Sequence, residues 1–282
     1  MSSLAAPLSG NRLHLQHGPI DLIIGVDGAR VPAFEAAQSA FAGVLQTLVD
    51  ELDLLKRGID AETPHPDGPV ARRMVGAVSR HSGFVTPMAA VAGAVADHVL
   101  AAMVATSGLR RAYVNNGGDI AVHLTPGENF RLAMTSLQNA GHGTIEITSG
   151  DGIGGIATSG QGGRSLSFGI ADSVTVLADD AAAADVAATL IANAVDLPAH
   201  PAITRMPATD LRPDSDLGAR QVVTEVGRLS AEDITFALAR GAKLAQTMRQ
   251  KGLIRAAALF LRGQSHLVGH IRQIEKKEAL HA

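Results

Sequence analysis

An α+β fold in a single large domain is the fold class that the sequence predicts. Segments with strand patterns and segments with helical patterns follow one another without the steady strand–helix–strand rhythm that builds a parallel sheet. The chain has 282 residues, which suits one large domain or a closely fused pair. We place the domain at residues 1–265 and a charged C-terminal tail at residues 266–282.

The first half of the chain is expected to begin with strands and to continue with helices. Residues 13–27 contain two apolar, strand-like segments that flank a Gly-Pro turn. Residues 33–57 repeat apolar side chains every three or four positions, which predicts an amphipathic helix. A short helix over 70–79 and an alanine-rich helix that begins near Pro87 are expected to follow.

The second half is expected to alternate more often between the two kinds of structure. Strands are predicted within 111–124 (around a tight turn), 129–135, 143–149, 173–178, 221–226 and 253–262. Helices are predicted at 180–195 and from 231 to about 250, the second capped by Ser230. Loops are predicted at 150–170 and 196–219.

Composition excludes several functional classes. Because the net charge is −3, no basic surface is available to bind nucleic acid. The absence of Cys excludes disulfides, thiolate nucleophiles and cysteine metal sites. The N-terminus lacks the basic and apolar regions of a signal peptide, and no uninterrupted apolar run reaches the ~18 residues of a membrane span. We therefore expect a cytoplasmic protein with no membrane partner.

A first glycine cluster follows an apolar strand. It consists of Asn115, Asn116, Gly117, Gly118 and Asp119. Its glycines allow backbone amides to approach an anion closely, and its asparagines add further donors. The same residues also match a β-hairpin turn, because Asn-Gly is a strong hairpin signal. Both interpretations stay open at this point.

A second cluster combines glycines with hydroxyl groups and one arginine over residues 157–165. Its members include Ala157, Thr158, Ser159, Gly160 and Arg164. Such a segment can wrap a phosphate with its N–H groups, its hydroxyls and the Arg164 guanidinium. A flexible surface loop fits the composition equally well.

Asp185 is an isolated acid in an alanine-rich helix. A buried carboxylate is costly unless it is hydrogen-bonded, paired or bound to a cation. Thr189 lies one turn later on the same helix face. A carboxylate and a hydroxyl are oxygen ligands that suit Mg²⁺. The alternative is that Asp185 faces solvent.

Two further candidates carry less specific signals. His81 stands out among the scattered histidines because it directly precedes the segment 82–87. Asp214, Ser215 and Asp216 form an acidic cluster that can bind a cation but matches a surface turn better. No Gly-x-Ser-x-Gly nucleophile motif occurs, which argues against an α/β-hydrolase.

The motifs occur in an order that resembles a known superfamily. They are Ala92–Asp97, Val114–Ile120, Ala157–Gly160, Ser173–Val176, and Ala184–Asp185 with Ala188–Thr189. In this order they resemble the ApbE superfamily of FAD-dependent, Mg²⁺-requiring FMN transferases. The segments Thr86–Gly93, Gly155–Gly160 and Gly169–Asp172 are similar to those of its cysteine-free cytoplasmic branch. The resemblance covers about residues 10–260.

The resemblance implies a fold and a set of ligands. The fold would be ApbE-like and related to the T-fold, with mixed sheets and packed helices. A flavin nucleotide, FAD or FMN, would lie between the two glycine clusters. The implied cofactor contacts are Thr86, Asn115, Asn116, Gly117, Gly118, Asp119, Ala157, Thr158, Ser159, Gly160 and Arg164. The implied Mg²⁺ ligands are Asp185, Thr189 and the backbone carbonyl near Val91.

Two departures from the transferase pattern affect the expected chemistry. Transferases carry a His-x-x-[Asn/Asp]-Pro segment before the Ser-Val-Thr-Val strand, but here Ser165–Gly169 contains no His and no Pro. Ala92 stands where the transferases have Lys. Loss of a general base costs about 10²- to 10⁴-fold in rate. His81 would replace this base if the fold brings it close.

Three functions therefore remain open from the sequence. The first is an Mg²⁺-dependent enzyme that transfers FMN or cleaves the FAD pyrophosphate, with an acceptor protein as a further partner. The second is a flavin-binding protein without transferase activity, or an enzyme that acts on another small molecule in the same pocket. In the third, the clusters serve only the fold. Small-residue helices and an aliphatic surface favour a homodimer.

Overall fold

The α+β fold class predicted from the sequence is confirmed by the structure. A computed structural model describes residues 3–58, 65–134, 143–163, 165–270 and 273–274. In chain order its strands are β1 (Leu4–Leu8), β2 (Arg12–His17), β3 (Ile20–Gly28), β4 (Leu109–Asn116), β5 (Asp119–Leu124), β6 (Asn129–Met134), β7 (Gly143–Thr148), β8 (Gly155–Ser159), β9 (Ser173–Ala178), β10 (Ile203–Pro207), β11 (Gln221–Val226), β12 (Ala256–Leu261), β13 (Gln264–Val268) and β14 (Gln273–Ile274).

The helices are distributed between these strands. They are α1 (Arg30–Phe41), α2 (Val44–Asp50), α3 (Leu52–Leu55), α4 (Pro69–Val78), α5 (Val91–Val104), α6 (Ala181–Ala194), α7 (Ala208–Leu211) and α8 (Ala231–Gln250). Short 3₁₀ turns occupy Pro87–Ala90 and Ser149–Asp151. The first of these leads directly into α5. It begins with Pro87, whose fixed φ suits the first position of a helical turn.

A nine-stranded antiparallel sheet organises the molecule. Its strand order is β1-β2-β3-β4-β5-β8-β9-β12-β13. A second sheet has the order β14-β7-β6, and β10 and β11 form a separate hairpin. The boundary that we placed at residue 265 falls inside β13, which pairs with β12 over its whole length. The division into a domain and a tail stays a prediction.

The two faces of the large sheet are covered by different layers. On one face, residues such as Ala157 and Val176 pack against the helices α6 and α8. Their chain neighbours Ile156 and Leu177 point to the opposite face, because side chains alternate along a strand. There they meet Ile145 and Ile147 of the three-stranded sheet. The core is aliphatic, as the composition predicts.

Three predicted segments differ from the structure. The helix predicted over 33–57 divides into α1, α2 and α3, because Gly43 adopts a left-handed φ of 87° that ends the first helical run. The loop predicted at 150–170 contains β8, which pairs with β9 in the sheet. The irregular segment 196–219 contains β10 and α7. Strand β10 pairs with β11, which lies beyond the predicted loop. The pairing therefore joins strands that are not adjacent in the sequence.

Helix α5 is the most apolar long helix among the described residues. Together with the preceding 3₁₀ turn it forms the segment Pro87–Val104, which is long and apolar enough to cross a membrane by length and composition alone. More than half of this segment is buried inside the fold. It packs against α1, α6 and the strands β4 and β5. Such burial is typical of a core helix.

Candidate functional site

A pocket of about 410 Å³ opens at the N-terminal end of α5. Three segments form most of its wall. They are the start of α5 with the segment before it, one face of α6, and a loop between α7 and β11. The lining residues are Lys56, Phe84, Val85, Thr86, Met88, Ala89, Val91, Ala92, Asp119, Ser165, Leu166, Phe168, Asp185, Thr189, Leu190, Asn193, Arg212, Asp214, Ser215, Asp216 and Leu217. The pocket therefore joins segments from across the chain.

Two carboxylates mark the inner part of this pocket. Asp119 begins β5, and its Oδ1 accepts a hydrogen bond from the Thr158 backbone N–H at 3.3 Å. Asp185 lies on α6, and its Oδ2 accepts from the Gly93 backbone N–H at 3.1 Å. Burial raises the pKa of Asp119 to about 7, against the effect of the Thr158 hydrogen bond. Burial, and then the charge of Asp119, hold the pKa of Asp185 well above its usual range.

The predicted magnesium ligands line one pocket. Thr189 follows Asp185 by one turn of α6, and Val91 begins α5 on the facing wall. Among the residues that the structure describes, no group of three or more His, Cys, Asp or Glu side chains has the arrangement of a metal site. A cation held here would depend on Asp119 and Asp185 together with neutral oxygen atoms.

The first glycine cluster forms a hairpin turn between β4 and β5. Gly117 and Gly118 both adopt positive φ angles, of 66° and 115°. The Asn115 side chain accepts a hydrogen bond from the Gly118 N–H at 2.8 Å, and the Asn116 amide donates to the Ala92 carbonyl at 3.1 Å. These contacts use the asparagines to hold the turn against α5. Of this cluster, Asp119 alone lines the pocket.

The second glycine cluster is mostly part of a strand. Ala157, Thr158 and Ser159 belong to β8, and the Thr158 hydroxyl shares a hydrogen bond of 2.9 Å with the Thr175 hydroxyl. A Cβ atom at Gly160 would lie 2.8 Å from the Asp172 carbonyl oxygen, so this glycine serves close packing. None of these four described residues lines the pocket; Thr158 acts on it through Asp119. Arg164 lies outside the described residues.

His81 is not among the residues that line the pocket. It follows α4, and burial together with the charges of Arg80 and Lys251 lowers its pKa to about 4. The imidazole is therefore neutral at pH 7. The proposal that His81 replaces the missing base stays a prediction, without support from its position.

A loop over residues 212–217 forms the pocket wall that the sequence patterns missed. The Thr86 hydroxyl donates to the Asp216 carboxylate and ties this loop to the segment before α5. Near the same rim, the Arg220 guanidinium stacks over the Phe84 ring at 3.3 Å from its centroid. The acidic run Asp214–Asp216 was visible in the sequence, but only the fold shows that it lines the same pocket as α6.

Family membership follows from a match over nearly the whole chain. A model of the protein family described as AbpE bacteria matches residues 5–267. The chain belongs to this family. The match confirms the resemblance to the ApbE superfamily that the ordered motifs indicated.

Individual relatives are similar over shorter stretches or at lower identity. The UPF0280 protein of Methanothermobacter thermautotrophicus is 37% identical over 134 residues, which are 47% of this chain and 51% of that protein. The chain spans about half the length of the curated relatives it matches. The ApbE protein of Thermotoga maritima is 13% identical with a TM-score of 0.45, covering 97% of this chain and 96% of that one. The flavinyl transferase ApbE of Pseudomonas stutzeri is 13% identical with a TM-score of 0.41, covering 95% and 93%.

Proposed function

We propose that the pocket binds a flavin nucleotide together with Mg²⁺, and that the protein transfers FMN from FAD or cleaves the FAD pyrophosphate. One observation carries the proposal: Asp119, Asp185, Thr189 and Val91 converge in one pocket of a chain that belongs to the family. These residues come from β5, α6 and the start of α5, which are far apart in sequence. Their convergence supports a binding site.

The donor set fits a magnesium ion. Carboxylate, hydroxyl and carbonyl oxygens are the ligands that Mg²⁺ accepts, with water and phosphate completing its coordination. The carboxylates of Asp119 and Asp185 also repel each other when both are charged. Among the described groups that shift the Asp185 pKa, none is a cation. A divalent cation between them would relieve this repulsion.

The rest of the pocket fits a nucleotide. A volume of about 410 Å³ lies within the usual range for small-molecule sites. Phe84, Phe168 and Leu166 offer apolar surface for a ring system. Lys56 and Arg212 add positive charge that suits phosphate oxygens.

The proposed chemistry divides between the ion and the protein. When bound, Mg²⁺ neutralises charge on the phosphates. Asp185 and Asp119 would hold the ion, while the hydrogen bond from Thr86 to Asp216 holds the loop 212–217 against the segment before α5. In the transferase case a hydroxyl group of the acceptor attacks the FMN phosphorus and AMP leaves, whereas in the cleavage case water attacks and FMN and AMP are the products. In the transferase case, an acceptor protein would have to reach the open side of the pocket.

Incubation with FAD and Mg²⁺ tests the proposal directly. We expect AMP to be released by the wild-type protein and not by Asp185→Asn, which keeps the side-chain size but removes the ligand charge. EDTA should stop the release. If no AMP forms with or without candidate acceptor proteins, and FAD does not bind, the proposal is wrong.

Flavin binding without transfer is the second candidate, and the segment Ser165–Gly169 favours it. Ser165, Leu166 and Phe168 line the pocket before the Ser-Val-Thr-Val strand, where the transferase pattern places a His. Ser167 is buried and bonded to Asn193 and Gly169. If this candidate is right, the protein retains FAD or FMN through gel filtration but releases no AMP. The homodimer and the cytoplasmic location stay predictions.

A further inference from the structure

We propose that Asp97 is a positioning residue for this pocket. Asp97 lies on α5, does not line the pocket, and fixes the register at which α6 presents Asp185. The inference rests on the proposed magnesium site, because it concerns the placement of a ligand for that ion. The geometry of the contact between α5 and α6 supports this role of Asp97.

Asp97 caps the N-terminus of α6 from another helix. Its side chain is buried, with 8% of the residue exposed. Oδ1 accepts a hydrogen bond from the Ala181 N–H at 3.0 Å, and Oδ2 accepts from the Ala182 N–H at 2.9 Å. Both N–H groups belong to the first turn of α6, where no partner exists within the helix. The two bonds therefore join the carboxylate to one defined position along α6.

The bond from Gly93 to Asp185 runs in the opposite direction between the same helices. Gly93 belongs to the first turn of α5, and its N–H donates to Asp185 on α6. Each helix thus donates N-terminal amides to a carboxylate of the other. Two reciprocal contacts fix both the separation and the relative position of the helices.

Close approach of the two backbones leaves little freedom between these contacts. A Cβ atom at Gly93 would lie 2.2 Å from the Ala181 carbonyl oxygen. If α6 shifted by one residue, Asp185 would move by about 1.5 Å along the helix and turn by about 100°. That change would carry its carboxylate away from Asp119 and the pocket. Asp97 opposes the shift because its bonds exist in one register only.

Asp180 provides a matched control. It is the N-cap residue of α6 itself, and its Oδ1 accepts from the Ala183 N–H at 2.7 Å. It therefore stabilises the same helix end without a bond to α5. Substitution at either residue removes a cap, but only substitution at Asp97 also removes hydrogen bonds between the two helices.

The experiment measures Mg²⁺ affinity by titration calorimetry, with MgCl₂ as the only ligand, for wild type, Asp97→Ala, Asp97→Asn and Asp180→Ala. Loss of a cap should lower Tm by about 2–4 °C in both alanine variants. We expect Asp97→Ala to weaken Mg²⁺ binding by about 10- to 100-fold, as loss of a residue that orients a ligand does. Asp180→Ala should keep the wild-type affinity within about twofold. Asp97→Asn retains one acceptor oxygen and should recover part of the loss.

A second measurement does not depend on the ion. Amide hydrogen exchange at Gly93 should accelerate in Asp97→Ala and stay unchanged in Asp180→Ala. If Asp97→Ala fails to fold, Asp97→Asn and the same two measurements decide. If wild type binds no Mg²⁺, the magnesium part of the proposed function fails, while Gly93 exchange still tests the positioning. Equal Mg²⁺ affinity in Asp97→Ala and Asp180→Ala, with equal Gly93 exchange, overturns the inference.

Discussion

The Asp185 carboxylate accepts a hydrogen bond from the Gly93 backbone N–H across 3.1 Å, which places an acid of α6 at the N-terminus of α5. The N-terminus of a helix carries a partial positive charge that stabilises an anion. This contact helps the fold to accommodate the Asp185 carboxylate. It offsets only part of the cost of burying that charge, since the pKa of Asp185 stays well above its usual range. The site therefore holds a carboxylate in an unfavourable environment.

Asp185→Asn should stabilise the protein when no metal is present. The amide oxygen can still accept the hydrogen bond from Gly93, while the repulsion with Asp119 disappears. We expect Tm in EDTA at pH 7.5 to rise by about 2–4 °C, equivalent to ~1 kcal/mol. MgCl₂ should raise the Tm of wild type and leave the variant unchanged. Differential scanning calorimetry with and without MgCl₂ measures both effects.

Asp214→Asn controls for the loss of one negative charge at the same pocket. Asp214 lies on the exposed rim, so its charge is solvated, and Tm in EDTA should change by less than about 1 °C. A lower Tm for Asp185→Asn in EDTA would contradict the prediction. It would show that the carboxylate stabilises the fold on its own.

The shared position of Asp185 and Thr189 on one face of α6 was predictable because their spacing is local. Asp185 and Thr189 lie one turn apart on a helix whose alanine composition and length are evident from sequence. The pocket wall was not predictable in the same way. Thr86 and Asp216 are separated by 130 positions, and a contact between them depends on how the β10–β11 hairpin folds over the helices. No periodic pattern encodes such a contact.

Backbone conformation limits the prediction of element boundaries for a related reason. The apolar repeat of 33–57 continues through Gly43, so periodicity alone indicates one helix. The left-handed φ at Gly43 divides it, because the chain turns to bring both Phe41 and Val44 into the core. Glycine composition leaves a related ambiguity. Gly160 resembles an anion-binding glycine by composition, but its neighbours are backbone atoms of Asp172 and Ser173.

Gly93→Ala should disrupt the contact between α5 and α6. The added methyl group would lie 2.2 Å from the Ala181 carbonyl oxygen, and backbone atoms on both sides prevent a small adjustment. We expect a loss of about 2–3 kcal/mol in the free energy of unfolding, as for overpacking in a core. Urea denaturation at pH 7.5 measures it.

Gly76→Ala is the matched control for that substitution. Gly76 lies inside α4 at an exposed position, and a Cβ atom there would meet nothing within 4 Å. Because alanine favours the helix, this variant should gain about 0.5–1 kcal/mol. If both variants changed stability in the same direction, helix propensity rather than the close approach would control the effect at Gly93.

Arg205→Met should destabilise the hairpin that carries the pocket loop. Arg205 donates to the Phe168 carbonyl at 2.6 Å and to the Asp196 carboxylate at 2.5 Å, and both side chains of the ion pair are mostly buried. Removal of the guanidinium leaves Asp196 with an unpaired charge. The expected loss is about 2–4 kcal/mol in the free energy of unfolding.

Arg255→Met is the control, because the ion pair of Arg255 with Asp179 is about half exposed and its loss should cost at most about 1 kcal/mol. Similar losses for the two variants would argue against burial as the cause.

His81→Gln should reduce the loss of stability that acidification causes. Burial, with Arg80 and Lys251, lowers the pKa of His81 from 6.5 to about 4, so the folded state binds a proton less readily than the unfolded state. The stabilising contribution of neutral His81 is therefore complete above pH 6.5 and is lost as the pH falls through 4. Because the ring is partly exposed, we discount the full shift and expect wild type to lose about 1 kcal/mol more than the variant between pH 7.5 and pH 5. Above pH 7.5 the difference between the two proteins should not depend on pH. Urea denaturation across this range measures it, and parallel curves from pH 7.5 to 5 would show that His81 titrates normally.

The same variant also tests the proposed catalytic role, since His81 lies outside the pocket lining and its loss should leave AMP release unchanged.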